Sequence, residues 1–186
     1  DLMAGTKSGW GASRANYPAQ LVAERLTGEP AESFTNAAMQ WGTATEPEAR
    51  NAYAFDADVE VVEVGMIEHP VIAMAGASPD GLVGTDGLVE IKCPNTATHI
   101  DTLLRGTIPD KYRLQMLWQM ACTGRQWCDF ASYDPRLPQE MRLFVRRLDR
   151  DDAAIAEIEN EVRAFLDEVS GTVSALTAKY GEREAA

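Results

Sequence analysis

This chain is short of the residues that staple or anchor a protein. Only three cysteines occur among its 186 residues, Cys93, Cys122 and Cys128. An odd count with no CxxC pair argues against a disulfide framework and a structural zinc site, and predicts reduced, mostly buried thiols. The two histidines, His69 and His99, stand near no obvious metal-ligand partner. A closed zinc site needs four ligands, so local structural roles are expected for both. No apolar run reaches the ~18 residues that would suggest a bilayer span. No basic segment followed by an apolar one opens the chain, so no signal peptide is predicted. The expectation is a soluble, cytoplasmic protein of one domain, long enough to bury its own core.

Positive charge is also scarce: 17 Lys and Arg stand against 29 Asp and Glu, a formal net charge of −12. That excludes a broad electrostatic attraction for nucleic acid. The distribution is uneven, however. Residues 1–100 hold 5 basic and 14 acidic side chains, residues 101–150 hold 9 and 6, and residues 151–186 hold 3 and 9. The middle stretch is a basic island.

Just before that island, Ser78-Pro79-Asp80-Gly81-Leu82 is followed by Glu90-Ile91-Lys92-Cys93-Pro94. The intervening Gly84, Asp86 and Gly87 suit a tight turn, so the segment reads as a hairpin that carries Asp80 back beside Glu90. Alternation along a strand puts Glu90 and Lys92 on one face and Ile91 on the other. Charged groups converging near a core need neutralising. A Mg²⁺ ion held by Asp80 and Glu90, with the Ile91 carbonyl as a third ligand, would do so. Lys92 would then orient or activate the attacking water, or stabilise charge on a phosphate. The chemistry implied is phosphodiester hydrolysis. Pro-Asp-Gly is also an ordinary turn, and Glu-x-Lys an ordinary solvated pair, so these residues alone leave both readings open.

The rest of the chain predicts the following order. Gly5–Ser13 reads as a loop carrying Lys7 and Trp10, and residues 17–26 as a short helix. A second helix starts near Ser33 or Asn36, with interruptions at Gly42 and Pro47, and carries Glu46. Val59–Met66 and Val71–Ala77 read as strands leading to Asp80. Helices follow over Thr96–Gly106 and Lys111–Thr123, the second capped by Asp110, with Leu114, Leu117, Trp118 and Ala121 as its core stripe and Tyr112, Gln115 and Gln119 elsewhere. Strands at Trp127–Tyr133 and Met141–Leu148 come next, then a long helix capped by Asp149 or Asp151. The fold class expected is α/β with a mixed sheet, αβββαβ, its core about 33–148 and its C-terminal helix about 150–180.

The two central motifs, together with Trp41-Gly42 through Glu46 to Ala49-Arg50, Tyr112 to Gln115, and Tyr133-Asp134-Pro135-Arg136, resemble the phage lambda exonuclease and YqaJ-type viral recombinase family of the PD-(D/E)xK nuclease superfamily. The likeness is ordered and spans roughly residues 5–150. It implies a restriction-endonuclease-like core and a Mg²⁺-dependent exonuclease that uses two ions, with Mn²⁺ as a substitute. It implies digestion of linear double-stranded DNA from 5′ to 3′, leaving 3′ overhangs. By the same resemblance Glu46 helps complete the metal site, Gln115 helps organise it, and the protein is a ring-shaped homotrimer working with a single-strand annealing protein. Candidate DNA contacts are Ser78, Arg14, Arg105, Lys111, Arg113, Arg136 and Arg142. The family's 5′-phosphate pocket uses an arginine and a serine upstream of the segment matching Gly5, so Lys7 or Arg14 would have to supply charge here. Competing readings are a structure-specific or restriction-type endonuclease on the same core, and a catalytically silent DNA-binding scaffold.

Overall fold

The structure, a computed structural model, describes residues 5–6, 9–10, 12–30 and 35–181. It divides into two compact units, one from the two ends of the chain and one spanning Thr35–Ile155.

In the terminal unit, β1 (Gly5–Thr6) pairs antiparallel with β2 (Gly9–Trp10), where a loop was expected. The helix α1 follows at once as Ala12–Thr27, longer than its apolar pattern suggests. Its Tyr17 ring stacks on Phe165 at 5.5 Å, Val22 packs with Phe165 and Val169, and Arg25 donates to the Ser170 hydroxyl at 2.9 Å.

The larger unit opens with α2 (Ala37–Ala57), capped by Asn36, whose side chain accepts the Met39 N–H. Gly42 and Pro47 were expected to interrupt this helix, yet it runs through both. Proline removes one backbone bond and strains the preceding turn. Burial of Ala49 and Tyr53, both fully inaccessible, holds the helix on the sheet regardless. Then come β3 (Val61–Val62), β4 (Ile67–Glu68), β5 (Gly76–Ala77), β6 (Gly81–Val83) and β7 (Gly87–Lys92). The two strands expected at 59–66 and 71–77 shrink to these short pieces. His69 is the reason in the second case: its Nδ1 accepts the Val71 and Ile72 N–H groups, which folds the chain into a turn instead of a strand. Met74, at φ 61°, completes the departure from extended geometry.

Next are α3 (Thr96–Arg105), α4 (Asp110–Thr123), β8 (Trp127–Tyr133), a 3-10 turn at Gln139–Met141, and β9 (Leu143–Asp149). The N-cap of α4 is Pro109, with no side-chain cap bond, so Asp110 is the first helical residue and not the cap. The buried face of α4 is Met116, Leu117, Gln119, Met120, Ala121 and Cys122, while Leu114 is exposed. The long helix α5 (Asp152–Tyr180) starts where Asp151 accepts the Ala153 and Ala154 N–H groups, as one of the two expected caps.

The main sheet has the order β3-β6-β7-β8-β9, antiparallel except where β7 meets β8. This is the mixed sheet expected. On one face Val89, Ile91, Ala131 and Tyr133 pack against Ala49 and Tyr53 of α2. On the other, Leu88, Glu90 and Lys92 share the register of Cys128, Phe130 and Ser132. Burying each large aliphatic side chain there contributes about 1.5–3 kcal/mol. The β6–β7 turn depends on Gly84 at φ +54° and on Gly87, where a Cβ would lie 2.0 Å from the Trp127 ring. Trp127 thus covers the start of the strand that ends in Lys92, and the Arg147 guanidinium lies 3.5 Å from its ring centre.

Candidate active site

Three elements deliver the site. Asp80 stands one residue before β6, Glu90 and Lys92 lie on β7, and Glu46 comes from α2. The alternation expected of β7 holds: Ile91 enters the α2-side core, while Glu90 and Lys92 form an ion pair. Asp80 is tied to the strand by its Oδ2, which accepts the Ile91 N–H at 2.6 Å. Glu46, Asp80, Ile91, Lys92 and Tyr112 line a cleft of about 490 Å³, whose outer wall is Asn36, Met39 and Thr43 of the α2 start together with Cys93 and Pro94.

Glu90 is completely buried. Its Oε1 meets the Lys92 ammonium, and its Oε2 accepts the Gln119 amide N–H at 2.5 Å. Burial, then the neighbouring Asp80, push the Glu90 carboxyl above its ordinary pKa against the pull of Lys92. Burial likewise raises Asp80, opposed by the Ile91 N–H, Lys92 and Arg50. Burial and Asp80 raise Glu46. For Lys92, burial works against the charge, but Glu90 and Asp80 outweigh it and hold the pKa above that of a free lysine. Burial is thus the first cause of the raised Glu90, and the neighbouring carboxylates are what hold Lys92 up; around them three carboxylates share a site with little positive charge.

That imbalance is the test of whether a hard cation fits. Among the described residues no three His, Cys, Asp or Glu side chains are arranged to close around an ion by themselves. Mg²⁺ does not require that, since it retains waters and takes one or two carboxylates plus phosphate oxygens. The donors here are oxygen atoms, and the charge missing from the site is positive. Cys93 does not alter this chemistry, because burial and then Glu46 and Asp80 push its thiol up to about 12 and keep it protonated.

The sequence motif that contains Arg50 points to no role for it. Its guanidinium reaches Glu46 at 2.5 Å, Glu63 at 2.8 Å and the Asp80 carbonyl at 3.2 Å, so it braces two acidic residues of the site from α2. Gln119 was likewise passed over in favour of Gln115. Gln115 is exposed on the same helix, one turn earlier, and Gln119 is the amide that touches Glu90. Helical spacing from Tyr112 points at both positions, and only burial separates them.

The other predicted contacts are scattered. Ser78 is exposed just before Asp80. Arg105 pairs with Asp101 on its own helix, Arg142 donates to the Leu137 carbonyl, and Arg136 clasps Asp134 while its guanidinium lies 4.4 Å from the Trp41 ring centre. Lys111 sits 4.6 Å from the Tyr112 ring centre, and Arg113 is exposed beside it. Of the remaining basic residues in the island, Arg125 binds the Val83, Gly84 and Gly87 carbonyls, Arg146 the Gly106 carbonyl, Arg147 the buried Asp129, and Arg150 the Met120 carbonyl. Much of the island therefore holds the fold together. Arg14 lies on α1 with its side chain outside the described residues, and Lys7 lies outside them altogether. No disulfide joins the three cysteines, and both histidines have local roles: the His99 ring bonds the Ser132 hydroxyl and the Met141 carbonyl.

The model of the YqaJ-like viral recombinase domain matches residues 7–126. The chain belongs to that family. Among solved structures, LHK-Exo in complex with dAMP is 56% identical over 92% of this chain and 87% of its own, with a TM-score of 0.88. Another structure of LHK-Exo, described as an alkaline exonuclease from Laribacter hongkongensis, is 55% identical over 97% and 89%, with a TM-score of 0.89. A phage related exonuclease from Haemophilus somnus 129PT shares the fold, at 16% identity over 89% and 85% and a TM-score of 0.72. A search of curated proteins gave no match. This member of the YqaJ-like family is a nuclease. No helix among its described residues is long and apolar enough to cross a membrane.

Proposed function

We propose that the protein is a Mg²⁺-dependent exonuclease that digests one strand of linear duplex DNA from 5′ to 3′, leaving 3′ overhangs for annealing recombination in the cytoplasm of a bacterial or phage-infected cell. The observation that carries this is the grouping of Asp80 and Lys92, which line the cleft, with the buried Glu90 paired to Lys92 behind them. Its setting adds support: the chain is 56% identical to LHK-Exo, which has been seen with dAMP, a mononucleotide of the kind that exonucleases release. Polarity, a homotrimeric ring and an annealing partner follow from the family resemblance.

Asp80, Glu90 and the Ile91 carbonyl would hold Mg²⁺ or Mn²⁺ with Glu46 assisting, two ions in all. A bound divalent ion supplies charge stabilisation to the phosphate and lowers the pKa of water. The chain's own part is positional. Glu90 keeps Lys92 charged and fixed, so its ammonium can orient the attacking water and offset charge developing on the phosphate. Ile91 fixes Asp80 through its N–H, and Arg50 fixes Glu46. Gln115, on the exposed side of α4, would organise the substrate side of the site. DNA would run along Ser78, Lys111 and Arg113, with Arg105, Arg136 and Arg142 contributing charge; Arg14 remains a candidate contact from the sequence alone.

The experiment is incubation of linear, nicked and closed-circular duplexes with Mg²⁺ or EDTA, following products by size. Mononucleotides from linear DNA with Mg²⁺ alone, and intact closed circles, are expected. Opening of closed circles would mark an endonuclease instead, and inertness on all three would leave a scaffold.

A further inference from the structure

We infer that Gln119 is a positioning residue that limits Glu90 to offering one oxygen, and thereby sets the preference of the site for Mg²⁺ over Ca²⁺. The inference rests on the reading of Asp80 and Glu90 as ligands of a divalent cation.

Gln119 and Glu90 are 1% and 0% exposed, so no water competes for the 2.5 Å bond between them. A carboxylate only accepts, which turns the nitrogen of the Gln119 amide toward Glu90 and its oxygen away. On that far side the Cys128 thiol, 0% exposed, lies 3.8 Å from the amide oxygen. A buried thiol is a donor for such an oxygen, and no charge is needed on either group. The amide is therefore held at both ends. Cys128 is placed by β8, whose register sets it opposite Leu88 and Phe130 opposite Glu90, while Gln119 comes down from α4.

The consequence falls on the carboxylate. Oε2 of Glu90 is fixed into the core, and Oε1, paired with the Lys92 ammonium that lines the cleft, is the oxygen on the side from which a cation would approach. Mg²⁺ demands near-octahedral geometry with few protein ligands, whereas Ca²⁺ takes about 6–8 oxygens and accepts both atoms of one carboxylate. Tying Oε2 withholds the additional oxygen from Ca²⁺ and leaves Mg²⁺ its usual single contact. Gln119 lies outside the residues that the sequence motifs single out for chemistry.

The test is calorimetric titration of the full chain, without DNA, with MgCl₂ and separately with CaCl₂. Groups that orient a metal ligand typically contribute about 10–100-fold in affinity. Gln119→Met, which keeps the length and removes both hydrogen-bonding atoms, is expected to lower the Mg²⁺-over-Ca²⁺ affinity ratio about tenfold, at the low end of that range. Cys128→Ala should shift the ratio the same way by less, and Cys128→Ser, which supplies a hydroxyl donor, should restore it. If Gln119→Met does not fold, Gln119→Asn decides, because it keeps an amide but draws it back from Glu90. A folded Gln119 variant with the wild-type ratio overturns the inference. Absence of Mg²⁺ binding in the unaltered chain, or binding undiminished by Asp80→Ala, would instead overturn the reading on which it rests.

Discussion

Removing Arg50 should weaken the fold and the site together. Its side chain is only 11% exposed and makes bonds of 2.5 Å to Glu46 and 3.2 Å to the Asp80 carbonyl. The third contact, to Glu63, adds little, because that partner is 71% exposed and screened by solvent. A hydrogen bond to a charged group contributes about 1.5–3 kcal/mol, and Glu46, one-third exposed, places its bond near the lower figure. Adding about 1 kcal/mol for the carbonyl gives a loss of roughly 2–3 kcal/mol for Arg50→Met. In a chain of this size that is a fall of roughly 5–10 °C in Tm. The same change frees Glu46 and the backbone at Asp80, so the Mg²⁺ concentration for half-maximal nuclease activity should rise. Urea unfolding and a Mg²⁺ titration of activity measure the two effects on one preparation. A variant as stable as the parent would refute the bracing role. A variant that is destabilised but has an unchanged Mg²⁺ requirement would show that Arg50 serves the helix and not the site.

Lys92→Met should lower kcat by about 10²–10³ while Mg²⁺ binding persists, because a charge-stabilising group is lost and the carboxylates stay; single-turnover rates and calorimetry separate the two, and near-normal turnover would rule out the role given to Lys92. Arg125→Met, which removes the donor shared by the Val83, Gly84 and Gly87 carbonyls, should destabilise the fold by about 2–3 kcal/mol and speed amide exchange at the β6–β7 turn first. Asp134 predicts a pH effect. Burial raises its pKa, but the Arg136 bonds outweigh burial and lower it to about 2. A carboxylate whose folded pKa lies below the unfolded ~3.9 contributes stability above that value and loses it as pH falls toward the folded one. Arg136 is half exposed, so solvent screens part of the contribution. The stability gap between the parent and Asp134→Asn should therefore be present at neutral pH and close below about pH 4; a gap independent of pH would assign it to packing instead.

The hairpin and the acidic pair were legible in the sequence because their signals are local. Gly84 and Gly87 mark a turn, and alternation alone assigns Glu90 and Lys92 to one face of β7. Glycine and aspartate signals also located the end of α4 at Gly124 and narrowed the cap of α5 to Asp149 or Asp151, of which the structure uses Asp151. What failed depended on side-chain capture and packing, which composition does not state. Val71–Ala77 has the composition of a strand, but a single histidine side chain captures its first N–H groups. Pro47 carries a local signal to break α2, which the burial of Ala49 and Tyr53 overrides. The basic island looked like a DNA track, yet the acceptors that occupy Arg125, Arg147 and Arg150 lie elsewhere in the sequence. The choice between Gln115 and Gln119 likewise turns on which face of α4 meets β7, a fact of packing that no local pattern states.

The parallel pairing of β7 with β8 bears on how the protein is made. Glu90 faces Phe130, forty positions later, and the connection between their strands must leave one end of the sheet and return to the other through α3 and α4. Asp80 and Glu90 can meet as soon as a local hairpin closes, but the burial of Glu90 and its bond to Gln119 wait for that long excursion to dock. Non-local pairings form late because closing the chain over such a distance opposes them. A nascent chain that has not yet delivered β8 from the ribosome thus has its acidic residues but lacks the enclosure that fixes them. Unfinished copies of this nuclease should be harmless to the DNA of the cell that makes them.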